Sequence, residues 1–588
     1  MAVTGMQMSK TWFSRDGRTR RRSDVIAGLT VGAMLVPQAM AYAQLGGLPP
    51  QVGLYAATLP LLVYMLIGTS RQLAVGPVAL VSLLTATAIE PLADQDTATY
   101  LQLAAALALI VGAIYVVAGV FKLGSAVNLL SHAVLVGFTA GAALIIGVSQ
   151  AKYVLGVPIP RGEFADNLAD TWRAIPEANG ATVLVAAVAI LVMIAIKRWL
   201  PSVPSSLVVV IGSIAAVRLF HLADHGVAVV GDIPAGLPPL GVPSIGGSQV
   251  IDLLPSAVVI VIIGLMESFA VAKVYARRHR YDIDANREAL GIGAANIAAG
   301  ITGAYPVAGG FARTAVNDSS GAQTQWAALT AALTVGASTF FLTPLFASLP
   351  QAALGAIILV AVYNLIDVDE IRHIASVKRS DIIPMATAFF GSLAFGIEVG
   401  IGVAVIVSML VVFARMSRPH TAVLGRVPDT TTYRNISRFP EVECFDGVHI
   451  VRIDAAISFA NAHAIRGLLI EHAEQLGGGG VLILDASGIN DVDTSGISML
   501  GDTLGDLAQT GVSMHLSSVK GPVRDVLKRA GLWDGEFAGR LHASTDDAVM
   551  AVLAHCPSQA NQRRFGVDER TGEHDEALRT QLNGRKAS

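Results

Sequence analysis

The sequence has few charged residues, which make up 14% of its 588 positions. Soluble globular proteins carry roughly 25%, so this shortage excludes a chain that is soluble throughout. Hydrophobic residues make up 53% instead, and the mean hydropathy is +0.58. A bilayer core of about 30 Å needs roughly 20 apolar residues per helical span, and residues 24–418 supply one such run after another. The composition predicts an all-α polytopic membrane domain in this part of the chain.

Cysteine is almost absent from the sequence. Cys444 and Cys556 lie far apart in the C-terminal third, where they predict neither a disulfide framework nor a metal site. The four glycines at 477–480 precede a predicted strand rather than a helix, which argues against a phosphate-binding loop. The sequence also lacks a spacing typical of a nucleophile with its base. We therefore expect no enzyme activity, no catalytic residue, no cofactor and no resident metal.

The first apolar run lacks a small-residue cleavage site, although five arginines between Arg15 and Arg22 precede it. Such a segment orients the chain in the membrane rather than being removed. Basic residues recur at the ends of the even-numbered apolar segments: Arg71, Lys122, Lys197, Arg277, Arg372 and Arg415. Lys152 and Arg161 depart from this pattern. The bias predicts a multi-pass protein of the cell (inner) membrane with both termini in the cytoplasm.

About fourteen apolar segments are present, and two of them are broken by proline and glycine. The segments begin near residues 25, 53, 73, 100, 126, 181, 205, 252, 288, 313, 322, 351, 382 and 399. The third contains Gly76-Pro77, and the tenth follows a Pro-Val-Ala-Gly-Gly run at 306–310. Irregular backbone inside a membrane is tolerated only where it faces protein or a wet cavity. Breaks at matching positions, spans three and ten, predict half-helices and an inverted 7+7 repeat.

The two broken spans are the predicted anion site. A helix N-terminus carries unpaired N–H groups and partial positive charge, which suit a negative solute at mid-membrane. The candidate binding residues on these spans are Gly76, Pro77, Val78, Ala312, Arg313 and Thr314. The alternative is that both breaks are ordinary proline and glycine kinks. For Arg313 the sequence leaves three expectations open. The guanidinium adds positive potential to its helix N-terminus, it pairs with Glu267, or it reaches out to water.

Three further polar residues lie within apolar spans. Glu267 lies deep in the eighth span, where burial makes the charged form costly, so we expect a coupling role or a packing role. One turn along the same face, Val271 offers no oxygen ligand, which favours proton coupling over sodium coupling. Gln38 and Tyr42 lie one turn apart on the first span, where they form a wall of the ion site or interhelical hydrogen bonds.

Several motifs resemble those of the sulfate permease (SulP) family of anion transporters and exchangers. The matching runs lie at residues 36–43, 50–57, 68–71, 74–77 and 312–317. Val52 departs from the family pattern, in which an aromatic residue is usual. The resemblance covers nearly the whole chain.

The resemblance implies a mechanism, a site and an oligomeric state. It implies a core of spans 1–4 and 8–11 that moves in an elevator-like manner against a gate of spans 5–7 and 12–14, within a homodimer. It places the substrate among Gln38, Tyr42, Val78 and Ala312, with Glu267 and Arg313 nearby. Residues 76–82 look more like those of sulfate-carrying members, which favours proton-coupled sulfate uptake. A bicarbonate or other small-anion transporter or exchanger, and a passive channel, remain alternatives. The expected partners are the anion, the co-transported proton and membrane lipid, and no nucleic acid.

The C-terminal part alternates predicted strands and helices, which is typical of a small α/β domain. The runs at 485–488 and 493–496 resemble the STAS domain, in which a serine matching Ser495 accepts a phosphate. The alternative is that Asp493, Thr494 and Ser495 cap a helix. A non-transporting sensor that signals through this domain is a third class of function.

The sequence predicts five segments along the chain. They are a cytoplasmic N-terminal segment 1–23, a transport domain 24–418, a linker 419–443, a STAS domain 444–556 and a disordered tail 557–588.

Overall fold

A computed structural model of the chain describes residues 15–93, 96–124, 131–160, 162–200, 203–232, 236, 238–363, 365–555 and 562–564. The chain divides into two compact units, Met1–Ser408 and Met409–Ser588.

The first unit is built from helices. Their bounds are α1 Arg15–Leu45, α2 Pro50–Ala56, α3 Leu59–Ile67, α4 Ala79–Ile89, α5 Thr97–Val120, α6 His132–Ser149, α7 Ala151–Leu155, α8 Phe164–Ala174, α9 Gly180–Trp199, α10 Ser205–Leu219, α11 Gly247–Arg278, α12 Ala285–Ile301, α13 Phe311–Ser319, α14 Trp326–Phe341, α15 Thr343–Phe346, α16 Gln351–Tyr363, α17 Val368–Val377, α18 Ile382–Phe395 and α19 Ile397–Ser417. Eight helices among the described residues are long and apolar enough to cross a membrane, and three shorter apolar helices accompany them. This is the mostly helical membrane domain that the composition predicts. A count of fourteen spans and the inverted repeat stay predictions.

Two short strands interrupt the helices, and they pair with each other. The strands are β1 Val75–Gly76 and β2 Ala308–Gly309, and they run antiparallel. Helix α4 begins three residues after β1, and α13 begins two residues after β2. Proline at 77 lacks the N–H that a continuing helix needs, and the glycines at 309 and 310 cost a helix backbone entropy, so neither span forms one continuous helix.

Helix α1 is fixed to the loop that precedes α14. The buried carboxylate of Asp24 accepts hydrogen bonds from the backbone N–H groups of Gln323 (2.8 Å) and Thr324 (3.0 Å). Further along, a Cβ added at Gly28 would lie 2.4 Å from the carbonyl oxygen of Ala327, so the two helices approach as closely as glycine allows. The helix that carries Gln38 and Tyr42 therefore has a rigid neighbour.

The second unit contains a mixed sheet with helices on both faces. Its further elements are β3 Thr421–Arg426, β4 Tyr433–Asn435, β5 Glu443–Phe445, β6 Val448–Ile453, α20 Ala462–Leu476, β7 Val481–Asp485, α21 Thr494–Thr510, β8 Ser513–Ser517, α22 Gly521–Arg529, β9 Leu541–His542, α23 Thr545–His555 and β10 Gln562–Arg564. The strand order is β10-β5-β3-β6-β7-β8-β9, with β4 on β3. Strands β6 to β9 are parallel, and β3 runs antiparallel to β6.

Alternate residues of the central strand β7 supply two cores. Leu482 and Leu484 pack with residues of α20, α21 and α22, whereas Ile483 packs with α23 on the other face. This is the α/β domain that the alternating pattern predicts.

The segment 419–443, expected to be a linker, contains β3 and β4 and belongs to this sheet. In this segment, apolar and polar residues alternate over short stretches only. This pattern is typical of strands towards the edge of a sheet and not of a fully buried strand. The predicted disordered tail 557–588 lies outside the described residues except for β10. Of the predicted N-terminal segment 1–23, residues 1–14 lie outside them, and residues 15–23 begin α1.

Candidate functional site

The candidate site is built around the crossing of β1 and β2. Val75 pairs with Gly309 and Gly76 with Ala308. The pair is extended by the backbone N–H of Gly310, which donates to the carbonyl of Ala74 at 3.1 Å. The crossing brings the starts of α4 and α13 together, although they are far apart in the sequence.

Side chains from three helices fix the crossing in place. The hydroxyl of Thr314, on α13, accepts from the N–H of Ala74 at 3.1 Å and donates to the carbonyl of Gly310 at 2.7 Å. The Ser268 hydroxyl, on α11, accepts from the N–H of Gly309 at 2.8 Å. On α12, the side-chain amide of Asn296 accepts a hydrogen bond from the N–H of Val307 and donates one to its carbonyl, both at 2.9 Å. The backbone approach to each half-helix is therefore satisfied and rigid.

Both half-helices begin without a side-chain cap. Val78 is the N-cap residue of α4 and Gly310 that of α13, and neither side chain accepts a hydrogen bond from its helix. The first turn of each helix therefore keeps N–H groups free of intrahelical partners. Val78 is buried, whereas Ala312 is exposed at the start of α13. The arrangement can donate hydrogen bonds to an anion only through backbone N–H groups at these two positions, because neither the Val78 nor the Ala312 side chain offers a donor.

Arg313 is buried beneath the crossing, with 2% of its surface exposed. Its Nη1 donates to the carbonyl of Pro77, and its Nη2 lies 3.5 Å from the carbonyl of Ala74. Its Nε has no hydrogen-bond partner. Of the three expectations for this residue, reaching out to water is therefore wrong, because the carbonyls of the broken third span hold the guanidinium inside the protein. No ion pair within 4.0 Å joins it to Glu267 among the residues that the structure describes.

Glu267 lies on α11, next to the serine that holds β2. It is partly buried, its Oε2 has no hydrogen-bond partner, and it lies in electrostatic range of Arg313 and Tyr42. The hydroxyl of Tyr115, a fully buried residue of α5, also lacks a partner. A packing glutamate would have its oxygens satisfied by protein donors. The unpaired oxygen instead favours the interpretation that Glu267 binds a proton or a cation.

Gln38 and Tyr42 come from α1 towards the same region. The Oε1 of Gln38 is buried without a hydrogen-bond partner, so this atom does not form the interhelical bond that the alternative interpretation requires. Tyr42 is buried and lies in electrostatic range of Arg313. The wall interpretation is therefore the better supported of the two.

Sequence reasoning missed Tyr305 and Ser82. Tyr305 is fully buried, and its hydroxyl accepts from the Oγ of Ser82 at 3.2 Å. It also lies in electrostatic range of Arg313. A signal was present, because Tyr305 directly precedes the proline that starts the tenth break, but an aromatic residue in an apolar run looks like an ordinary core residue.

Ser495 lies on the exposed surface of the second unit, at the second residue of α21. The cap of that helix is Asp493, whose Oδ1 accepts from the N–H of Gly496 at 2.8 Å. The capping interpretation thus holds for Asp493, and Ser495 is accessible at a helix N-terminus.

Comparison with known proteins gives consistent matches. The sulfate permease family model matches residues 22–388, and the STAS domain model matches residues 439–548. The chain is 36% identical over 557 residues to the chloroplastic sulfate transporter 4.1 of Arabidopsis thaliana, covering 91% of this chain and 80% of the relative. It is 35% identical over 552 residues to a probable sulfate transporter of Mycobacterium tuberculosis strain H37Rv, covering 94% of this chain and 99% of the relative.

Two solved structures share the fold. One is the murine solute carrier 26 family member A9 anion transporter in the inward-facing state, with a TM-score of 0.84, 25% identity, and coverage of 92% of this chain and 93% of that chain. The other is the transmembrane domain of a cyanobacterial bicarbonate transporter, BicA, with a TM-score of 0.59, 23% identity, and coverage of 66% of this chain and 97% of that chain. At 23% identity the second likeness shows the fold alone.

Proposed function

The chain belongs to the sulfate permease family, and we propose that it is a secondary active transporter of small inorganic anions, with proton-coupled sulfate uptake as its specific activity. The family is one of transporters, and the sequence offers no arrangement for covalent catalysis. The two relatives described above are named as a sulfate transporter and a probable sulfate transporter.

The observation that carries this proposal is the meeting of two uncapped half-helices at the β1–β2 crossing. Their free N–H groups and partial positive charge supply hydrogen bonds and potential for an oxyanion, and the guanidinium of Arg313 adds a full positive charge below them. Gln38 and Tyr42 would contact the anion from the side, and Val78 and Ala312 would act through the backbone. Thr314 would act by holding the crossing with its hydroxyl, because its own N–H already donates to the carbonyl of Gly310. The break at Gly76 and Pro77 would shape the approach.

Glu267 is the proposed coupling residue. A carboxylate with an unpaired oxygen near the anion repels it when charged and tolerates it when protonated. Proton binding and anion binding would therefore favour each other, which is the linkage a symporter requires. A neighbouring sodium ion is the less favoured alternative, because Val271 supplies no oxygen.

Four further features complete the proposal. The core of spans 1–4 and 8–11 moves in an elevator-like manner against the gate of spans 5–7 and 12–14, with fourteen spans in a 7+7 repeat. The protein resides in the cell (inner) membrane as a homodimer with both termini in the cytoplasm. The likeness to an inward-facing relative supports the same state for this chain. Ser495 is a candidate phosphate-accepting or ligand-responsive position that regulates transport.

Two alternatives stand beside this proposal. The likeness to BicA is one of fold, and backbone amides discriminate poorly between oxyanions, so bicarbonate transport or exchange is the second candidate. A passive channel is the third, but a channel has no need of a coupling carboxylate.

Uptake into proteoliposomes tests the proposal. Purified full-length protein is reconstituted, and uptake of labelled sulfate and labelled bicarbonate is measured with an inward proton gradient, an inward sodium gradient and neither. The proposal predicts sulfate accumulation above equilibrium with the proton gradient alone. Sulfate uptake that neither gradient accelerates would exclude the coupling, and the absence of uptake of either anion would exclude the transporter.

A further inference from the structure

A cavity that contains buried polar side chains lies away from the crossing, at the C-terminal ends of α1, α4 and α6. Its volume is about 90 Å³. One wall comes from α1 and α4, including Gln44 and Thr87, and the opposite wall comes from α6 and α7, including Gln150 and Lys152. None of the residues assigned above to the anion site lines it. The cavity is therefore a separate space between the proposed core and the proposed gate.

Two buried glutamines in this cavity have polar atoms without partners. Gln44 is 8% exposed, and neither its Nε2 nor its Oε1 forms a hydrogen bond. Gln150 is 1% exposed, and its Oε1 is unpartnered while its Nε2 donates to Ser149 at 3.0 Å. Leaving buried polar groups unpaired is costly, and the cavity is large enough for several waters or one hydrated small ion. The glutamines are thus placed to meet a polar occupant.

The charges around the cavity favour an anion as that occupant. The ammonium of Lys152 lines the wall on the gate side, while the carboxylate of Glu90 is exposed to water at the rim. Water and salt screen the exposed carboxylate of Glu90 more than the charge of Lys152, a half-buried residue. The amide NH₂ of Gln44 adds a donor that suits the oxygens of sulfate or bicarbonate.

Helix α4 joins this cavity to the crossing. From Val78 at its start to Thr87 at the cavity, the helix covers about 13 Å along its axis. The C-terminal ends of α1, α4 and α6 all lie towards the outer side in the proposed orientation. An anion that leaves or approaches the crossing from outside would therefore pass the cavity, once the core slides against the gate.

Resting on the proposed transport function, we propose that this cavity is a second binding site for small inorganic oxyanions on the outer part of the translocation path. Lys152 and the amide groups of Gln44 and Gln150 hold the hydrated anion there, and Glu90 lowers its affinity.

Sided transport kinetics of paired charge variants test this site. Full-length Lys152→Met and Glu90→Gln are reconstituted, and the KM for sulfate is measured separately from the outer and inner faces. Lys197→Met and Glu177→Gln serve as matched controls, because both residues are exposed and neither lines the cavity. Removing one charge near the ion changes the affinity by about five-fold. Lys152→Met should raise the outer KM by about that factor and Glu90→Gln should lower it, with the inner KM unchanged. Gln44→Leu should also raise the outer KM.

The results separate a failure of the second site from a failure of the proposed function. Unchanged outer KM values, equal shifts on both faces, or shifts of reversed sign would overturn the second site, and reversed signs would indicate a cation instead. Wild-type protein that carries no anion from either face would overturn the proposed function itself. If Gln44→Leu does not assemble in the membrane, the opposed shifts in the outer KM of Lys152→Met and Glu90→Gln decide whether the second site exists.

Discussion

At the scale of single residues, Glu267 is the position where the proposed coupling can be tested separately from anion binding. The unpaired Oε2 beside the crossing has no protein donor that would keep the carboxylate charged. Glu267→Gln resembles the permanently protonated form, so it should abolish proton-driven sulfate accumulation and leave sulfate binding measurable. Accumulation in proteoliposomes and binding by isothermal calorimetry measure the two properties.

Asp252→Asn is the matched control for this prediction, because Asp252 is an exposed carboxylate on the same helix. It should leave both accumulation and binding as in the wild type. An intact gradient response in Glu267→Gln would remove this residue from the mechanism.

Many of the candidate site residues can be picked out from the sequence because their chemistry is unusual for a membrane span. A carboxylate such as Glu267, or a proline beside glycine at Pro77, is costly in lipid and therefore noticeable. Tyr305 is not noticeable in this way, since tyrosine is common in buried apolar segments. The unpartnered amides of Gln44 and Gln150 are also invisible in the sequence, because a partner's absence is a property of the packed structure.

At the scale of elements, the crossing of β1 and β2 sets the position of the Arg313 guanidinium, and two glycines test this. A Cβ added at Gly310 would lie 2.8 Å from Nη2 of Arg313, whereas one added at Gly76 would lie 3.6 Å from the same atom. Gly310→Ala should therefore displace the guanidinium and weaken sulfate binding about ten-fold, which is ~1.4 kcal/mol. Gly76→Ala should change binding by less than about two-fold, because 3.6 Å is an ordinary contact distance.

Calorimetric Kd values for sulfate measure both variants, and thermal unfolding confirms that each is folded. Equal losses in the two variants would show that glycine is needed at the crossing for its backbone alone, and not for the position of the guanidinium.

Strand β6 and helix α20 share a partly buried histidine pair. The Nδ1 atoms of His449 and His472 lie 3.3 Å apart. Burial, and then the charge of His472, lower the pKa of His449 from 6.5 to about 4, and burial lowers the pKa of His472. The unfolded state binds protons at these histidines more readily than the folded state does. The free energy of unfolding of the second unit should therefore be greatest above pH 6.5, and it should fall by ~2–3 kcal/mol as the pH approaches 4.

His449→Gln should flatten this pH dependence. His463→Gln, at an exposed position of helix α20, should leave it unchanged. The fluorescence of Trp533, with the other tryptophans replaced by Phe, follows unfolding of this unit in the full-length protein. Parallel pH profiles for His449→Gln and the wild type would contradict the prediction.

Local backbone rules explain what could be predicted about these elements. The breaks in spans three and ten follow from Pro77 and from Gly309 with Gly310, whose effects are local. The pairing of β1 with β2 could not be predicted, because it joins two dipeptides that are far apart in the sequence and too short to show a strand pattern. The strands β3 and β4 look like a linker in the sequence for a related reason, since their pairing with the rest of the sheet determines their structure more than their own residues do.

At the scale of the whole molecule, the STAS domain distinguishes a regulated transporter from a sensor. Ser495 is exposed at the N-terminus of α21, where a phosphate would be stabilised by the helix dipole. If this position regulates transport, Ser495→Asp should change the maximal rate of sulfate uptake at least two-fold relative to Ser495→Ala. Initial uptake rates at saturating sulfate measure the difference, and Ser513→Asp provides a control on a strand of the same unit.

Uptake that is the same in Ser495→Asp and Ser495→Ala would remove the regulatory role. A protein that signals in response to sulfate without carrying it would favour the sensor over the transporter.

The position of a bound oxyanion tests the whole account most directly. Electron cryomicroscopy of the full-length protein in lipid nanodiscs, with and without saturating sulfate, gives a difference density for the anion. The account predicts density at the starts of α4 and α13, within hydrogen-bonding distance of the backbone N–H groups of Ala79 and Ala312. Density elsewhere in the membrane unit with none at this crossing, or helices that run unbroken through residues 77 and 310, would contradict it.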